Sequence, residues 1–287
     1  EVINTVSLGN RIINREIINF MRSRNIKFTA KRLKPFTRMF AFFDAVEISR
    51  FCVPKLIQIT MSSGVFQTGE TVTGVMQSSL DTQETSSAGS AAINFRTCVA
   101  NHKYGAFNAP SDIFDSNPYD RTDSIATAYT ESSTLLNVDT DSLSNENDSQ
   151  FSGYIQQGMI LRGNSSGAEA IVTRIALVTD RVGTLIGSYR VPDSANTANP
   201  TFETGRSNFK LSSSSTNSNV AGSVSSSAEQ IFYSQGDLDN TQEVTLSLRN
   251  AEVETEDLDP ETRVLAGVTD QTSIITNINA VRIPPPP

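Results

Sequence analysis

The chain has little of what most catalytic and metal centres are built from. Among its 287 residues there is no Trp, a single His and only two Cys, and aromatic residues make up 7% of the total. The lone imidazole, His102, excludes a His-rich metal site, a two-His carboxylate triad and a zinc-protease helix. No nucleophile-elbow sequence lies beside it, so we expect His102 to have a surface or hydrogen-bonded structural role.

The two thiols and the apolar runs are equally uninformative about chemistry. Cys52 and Cys98 fit neither a metal-ligand spacing nor a disulfide framework, and we expect both to be small apolar fillers. No run approaches the roughly 18 apolar residues of a membrane helix, and no leader sequence is recognisable, so the sequence predicts a soluble chain without a membrane partner. Because the chain starts at Glu1 and ends in the run Pro284–Pro287, we expect a piece of a longer polypeptide.

Charge is distributed unevenly along the chain. Residues 1–60 contain 11 basic and 4 acidic residues, whereas the remainder contains 12 basic and 27 acidic residues. An acidic body repels nucleic acid, so no nucleic-acid partner is expected, while the basic N-terminal part favours an acidic neighbour. The sequence offers no catalytic, cofactor-binding or metal-binding residue, and we expect neither a cofactor nor an enzyme.

The apolar residues that are present alternate over short runs broken by Gly, Asn, Asp and Ser. Phe209 and Leu211 alternate before the low-complexity run 212–217, which is typical of a half-buried strand that enters a surface loop. We therefore predict a mainly β protein with two or more small antiparallel β-sandwich or barrel modules and extended N- and C-terminal arms.

The pattern of apolar residues divides the chain into four parts. Residues 1–25 are predicted to form an extended arm with one short strand or turn, since their apolar spacing is too irregular for an amphipathic helix. Residues 26–60 are predicted to form a small β-sandwich portion, with alternating Ile26, Phe28 and Ala30 separated by a Pro turn at 34–37 from the apolar run 39–43.

Residues 61–235 are predicted to form one or more β-barrel-like modules. The spacing of Phe66, Gly69, Val72 and Gly74 is repeated by an identically spaced set, so each copy is expected to open a strand after a Gly. The second copy consists of Ile155, Gly158, Leu161 and Gly163.

A polar, loop-rich insertion at about 78–150 separates the two copies. Its string 137–141, with Asp139 and Asp141, resembles the start of a calcium loop, but Ser144 and Gln150 stand where that loop requires Gly and Glu. We therefore favour Asx turns capped by their own side chains over a cation site.

The last part, residues 236–287, is predicted to contain C-terminal strands and an extended Pro-rich tail. Val244, Leu246 and Leu248 alternate in one strand, and segments 274–275 and 281–283 are expected to add a closing strand. Between them lies the acidic patch 252–259, for which a basic segment of a neighbour is an available partner.

Two blocks of this sequence resemble large virion structural proteins of tailed phages, especially contractile-tailed phages of marine cyanobacteria. The first block comprises Met21–Ala30, Leu33–Arg38 and Phe42–Asp44, with Lys31 and Arg32 where the resemblance implies a Gly-containing turn. The second comprises Gly183–Pro192, Phe202–Gly205, Phe209–Leu211, Ser215–Asn217 and Ala228–Gly236. The resemblance implies a β-rich, non-enzymatic protein located in the phage tail of a virion, with no active-site residues.

Three hypotheses therefore stand. The first is a baseplate (wedge) component that binds other tail or baseplate proteins and forms a homo-oligomer within a larger assembly. The second is a tail-fibre or fibre-adaptor module that binds a host surface receptor or glycan, although the absence of Trp weakens it. The third is a polysaccharide depolymerase with two carboxylates, for which no distinctive motif is present.

Overall fold

A computed structural model describes residues 3–76, 93–145, 150–220 and 222–249. The fold is nearly all β, with several antiparallel sheets and one curled half-barrel, which confirms the predicted fold class. The strands, in chain order, are β1 Ile3–Ile17, β2 Asn25–Ala30, β3 Arg38–Phe43, β4 Val46–Glu47, β5 Cys52–Pro54, β6 Leu56–Ser63, β7 Thr71–Met76, β8 Ile93–Arg96, β9 His102–Ala106, β10 Ala109–Ile113, β11 Leu135–Asn137, β12 Met159–Gly163, β13 Glu169–Arg174, β14 Leu177–Val178, β15 Leu185–Arg190, β16 Gly205–Ser212, β17 Ser227–Ser234 and β18 Asp237–Arg249. A 3₁₀ helix, Ser49–Phe51, and a one-turn helix, α1 Thr140–Leu143, complete the described elements.

Two compact units divide the chain. One comprises residues 1–14 and 239–287, and the other residues 15–238. β1 and β18 form a two-stranded sheet, so the N-terminal arm holds a 15-residue strand, longer than the short strand predicted. β18 confirms a strand around Leu246, while the acidic patch, the closing strand and the Pro run lie outside the described residues. Nowhere in the described ranges does a helix combine the length and apolar character of a membrane span.

A six-stranded sheet in the order β11-β6-β13-β12-β7-β8 builds the first core of residues 15–238. Its fully buried side chains include Ile57, Phe95, Leu136 and Met159. Phe95 and Leu136 belong to the segment predicted as a polar insertion, so the described part of that segment contributes strands and core residues as well as loops. Each such side chain stabilises the fold by about 1.5–3 kcal/mol on burial.

The repeated spacing lies at the centre of this sheet. β7 and β12 each follow a Gly with positive φ, Gly69 at 86° and Gly158 at 87°, which confirms the predicted strand openings. The two strands pair antiparallel, with Gly74 opposite Leu161 and Gly163 opposite Val72. The two copies are thus neighbours related by an approximate two-fold axis.

A β-sandwich encloses the second core. One sheet has the order β2-β15-β5, and the other the order β14-β3-β16-β17 with β4 beside β3. Buried Phe43 of β3, Tyr189 of β15 and Leu211 of β16 meet between them, and the rings of Phe43 and Tyr189 lie 5.5 Å apart. Leu185 and Tyr189 of β15 face this core, whereas Ile186 faces a third, smaller cluster.

The Pro turn at 34–37 is confirmed, but the strands it joins lie in different sheets. β2 pairs with β15 and β3 pairs with β16, so strands from both sides of the predicted boundary at residue 60 share sheets. Arg32 has a φ of 63°, a left-handed conformation that Gly adopts most easily. The backbone therefore makes the Gly-type turn even though Arg occupies the position.

Candidate docking groove

An open apolar groove lies at one side of the sandwich and is lined by residues of both sheets. Its volume is about 410 Å³, within the usual range for binding sites in proteins. We call it the docking groove and define it by Ile26, Phe28, Tyr189, Phe209, Gln230 and Phe232. The Phe28 and Phe209 rings, 5.1 Å apart, connect the two sheets at its base.

The strand pattern explains why these side chains converge. Residues 26 and 28 of β2 share a face because successive side chains of a strand point to opposite sides. Phe28 lies opposite Gly187 of β15, where a Cβ would come within 2.6 Å of the Phe28 ring. The glycine thus makes room for the ring, which would otherwise be displaced from the groove.

Two edge strands border the groove. Within the described residues, β2 pairs only with β15, and β17 pairs only with β16. β17 makes eight consecutive pairs with β16, from Ser227 to Ser234, without a register shift. A sheet edge carries a row of backbone N–H and C=O groups that a further strand can pair with.

The groove is apolar inside and charged at its rim. Lys27 on β2 forms an ion pair with Asp141, and Lys31 lies with its Nζ 5.6 Å from the centre of the Tyr104 ring. On the other side, Glu229 is exposed and lies opposite Lys210 of β16. The arrangement favours an apolar occupant with polar groups at its margins.

Tyr189 forms part of the groove and also belongs to the second core. Its side chain is 1% exposed, and its hydroxyl has no hydrogen-bond partner among the described residues. Burial raises the pKa of this phenol far above its ordinary value, so the group remains protonated at any physiological pH. Its ring contributes apolar area, while its hydroxyl is a polar group buried without compensation.

His102 and the two cysteines do not line the groove. His102 is buried, and its Nε2 lies 3.2 Å from the Gly105 carbonyl oxygen; burial lowers its pKa. The side chain thus has a hydrogen-bond contact of the predicted kind, and it is buried rather than at the surface. Cys52 is buried among apolar residues, as predicted.

Cys98 is buried too, but it has a charged neighbour that its sequence context did not indicate. Its Sγ lies 3.7 Å from Nζ of Lys55, and Lys55 donates to the Val138 carbonyl oxygen at 3.2 Å. Burial raises the pKa of Cys98 to about 11 and lowers that of Lys55. A thiol held in its protonated form is a poor nucleophile.

The calcium-like string forms a helix cap. The Asp139 carboxylate accepts hydrogen bonds from the backbone N–H groups of Asp141 and Ser142 at the start of α1. It also accepts two from Arg96, at 2.9 and 2.6 Å. Its oxygens are thereby engaged, in agreement with the predicted self-capping turn.

No group of three or more His, Cys, Asp and Glu side chains arranged to hold a metal occurs in the ranges that the structure describes. What those ranges do present is an apolar groove bordered by two sheet edges. No protein-family model matches the chain, and neither a curated protein nor a solved structure matches it.

Proposed function

We propose that this chain is a non-enzymatic structural protein of a phage tail, a baseplate (wedge) component that assembles through its β modules and extended arms. The observation that carries the proposal is the docking groove, which lies open between the edge strands β2 and β17. Such a feature is a liability in a protein that works alone, because an exposed edge invites pairing with other chains. In an assembly protein the same edge is a place to bind a neighbour.

The arms support the same function. The described part of residues 1–14 and 239–249 belongs to the two-stranded sheet of β1 and β18, in which strands of 15 and 13 residues provide backbone edges for neighbours. Sheet pairing gives main-chain hydrogen bonds, and alternate side chains give specificity. Homo-oligomers and contacts with other tail proteins are both compatible with this mode of assembly.

The tail location comes from the sequence resemblance, and it is tested on intact particles. We expect cryo-electron microscopy of particles that contain the chain to show its density at the tail end, in contact with the tube or sheath. Antibody labelling provides an independent measurement. Absence of the chain from purified particles would overturn the proposal.

A receptor-binding fibre module is the second candidate, and one exposed aromatic residue favours it. Tyr233 on β17 is 71% exposed and lies opposite Arg206 of β16, a combination that suits stacking on a sugar ring. Density projecting outward with a free tip would support this candidate in place of the baseplate component. Formation of new reducing ends from host surface polysaccharide would instead reveal a depolymerase.

A further inference from the structure

We propose that an extended segment of a neighbouring protein adds to the free edge of β17 as a further strand and inserts alternate apolar side chains into the docking groove. The inference rests on the proposed function, since it names the kind of neighbour that the assembly protein would hold. The edge that is bound is β17 rather than β2, and the bound segment has a defined side-chain pattern.

The two edges of the groove differ in how well they are protected. β2 contains Lys27 and is followed directly by Lys31. Lysines on an edge strand discourage pairing with further strands. β17, the segment Ser227–Ser234, contains neither Lys nor Pro, and its pairing with β16 shows no bulge. Lysines, prolines and bulges are devices by which proteins protect a sheet edge. Because β17 has none of them, it is the edge left open for a partner.

The groove also has the periodicity of a strand. Residues 228–232 of β17 line the groove, and within this run Ala228 and Phe232 pack against the second core, with Gln230 between them at the same two-residue period. The cross-strand partners of Ala228 and Gln230 are Leu211 and Phe209 of β16. A strand added beside β17 would project every second side chain over the same space, about 7 Å apart. The pattern therefore favours an extended peptide over a compact small molecule.

Charge specifies the two faces of the partner. Glu229 is the only charged residue of β17. Its position alternates with Ala228 and Phe232, which pack against the second core, so its exposed side chain lies at the rim of the groove and is directed away from the apolar interior. A partner strand is therefore expected to carry Arg or Lys opposite Glu229 and apolar residues towards the groove. A charged residue on the groove side would lose water against the apolar side chains of Phe28, Phe209 and Phe232.

The test uses the whole chain and a synthetic seven-residue peptide in which Val alternates with Thr, with one outward Thr replaced by Arg. We expect saturable binding in calorimetry. The matched control peptide has identical side chains but N-methyl groups on the backbone amides that would pair with β17. Loss of those hydrogen bonds is expected to weaken binding by about tenfold or more, because each 1.4 kcal/mol is a factor of ten.

Two variants locate the site. Gln230→Lys places a charge in the groove and is expected to weaken binding about tenfold or more, whereas Val220→Lys adds the same charge at an exposed loop position outside the groove and leaves binding unchanged. Glu229→Lys is expected to reverse the preference, so that a peptide with Glu in place of Arg binds better. Circular dichroism checks that each variant is folded.

Several results would overturn the inference. They are no binding of the alternating peptide, equal binding of its N-methylated form, and insensitivity to Gln230→Lys. Sedimentation that reveals a dimer dissociated by Gln230→Lys would assign the edge to a second copy instead. All these measurements use the isolated chain, so their failure leaves the tail assignment to be tested on particles, and absence from particles leaves a positive peptide result intact.

Discussion

Replacement of Asp139 by Asn tests whether the contact between Asp139 and Arg96 stabilises the first core. The Asp139 side chain is 5% exposed and accepts two hydrogen bonds from Arg96. Asn keeps an oxygen that can cap α1, so the variant removes the charge while it preserves the cap. The perturbation therefore isolates the ion pair from the helix terminus.

The structure sets the size of the effect. Removing one partner of a fully buried ion pair costs about 3–5 kcal/mol because the other charge stays buried. Arg96 is 32% exposed, so its charge keeps access to water. Its guanidinium also lies 4.1 Å from the centre of the Phe107 ring. We therefore expect Asp139→Asn to lower the free energy of unfolding by about 1.5–3 kcal/mol, the range for hydrogen bonds to charged groups.

The effect should also depend on pH. Burial alone would raise the pKa of Asp139, but the hydrogen bonds and charge of Arg96 outweigh it and the net pKa is lowered. The unfolded carboxyl, with a pKa of about 3.9, binds its proton at higher pH than the folded one. The stabilisation is thus fully present above about pH 4 and is lost as the pH falls through the folded-state pKa.

Urea denaturation followed by circular dichroism measures the free energy of unfolding and, when it is repeated at several pH values, the dependence of that free energy on pH. Asp141→Asn is the matched control, because Asp141 pairs with Lys27 at 58% side-chain exposure, where an ion pair contributes at most about 1 kcal/mol. The explanation fails if the two variants are equally stable at pH 7. It also fails if the difference between wild type and Asp139→Asn stays constant as the pH is lowered below about 4.

Three further substitutions test the interior. Tyr189→Phe is expected to raise the melting temperature, because the hydroxyl it removes is buried without a partner, a defect that costs about 1–3 kcal/mol. Gly183→Ala should destabilise by about 2 kcal/mol or more in urea denaturation, since φ is 75° and a Cβ would lie 1.9 Å from the Leu33 carbonyl oxygen. Lys55→Met should be as stable as wild type or more so at pH 7. Because burial lowers the pKa of Lys55, the unfolded state binds more protons at this group, so its contribution to stability should rise with pH towards about 10.4. The difference in stability between the variant and the wild type should therefore shift in favour of the wild type over that range.

Local patterning predicted the strands well because side-chain alternation is a local property. Phe209 and Leu211 indicated β16, and the alternation of Ile26, Phe28 and Ala30 indicated β2. The Pro turn at 34–37 was equally local. These elements needed only the two-residue period and turn chemistry.

Pairing over long distances could not be predicted from the same signals. Thr29 lies opposite Ile186, and Phe43 lies opposite Phe209, yet nothing in either segment specifies its partner. The docking groove depends on such pairings, because an edge exists only relative to the order of a sheet. The Lys-free composition of β17 was visible in the sequence, but its meaning depended on knowing that the strand lies at an edge.

The repeated spacing shows how local and distant information combine. A two-fold axis through the pair Thr73 and Arg162 exchanges Gly74 with Gly163 and Val72 with Leu161. At Gly74 the missing side chain leaves room for Leu161, whereas at Gly163 it leaves room for Glu70, whose carboxylate accepts hydrogen bonds from the Ser166 backbone N–H and side-chain hydroxyl.

One spacing therefore serves two different contacts, so it reflects the shared geometry of the paired strands rather than a shared neighbour. A repeat of this kind specifies the centre of a sheet, because each copy supplies the partner of the other. It specifies nothing about the outermost strands, β11 and β8, whose outer edges have no counterpart in the repeat. The same separation holds in the sandwich, where no local pattern in the sequence pairs the edge strands β2 and β17 with β15 and β16.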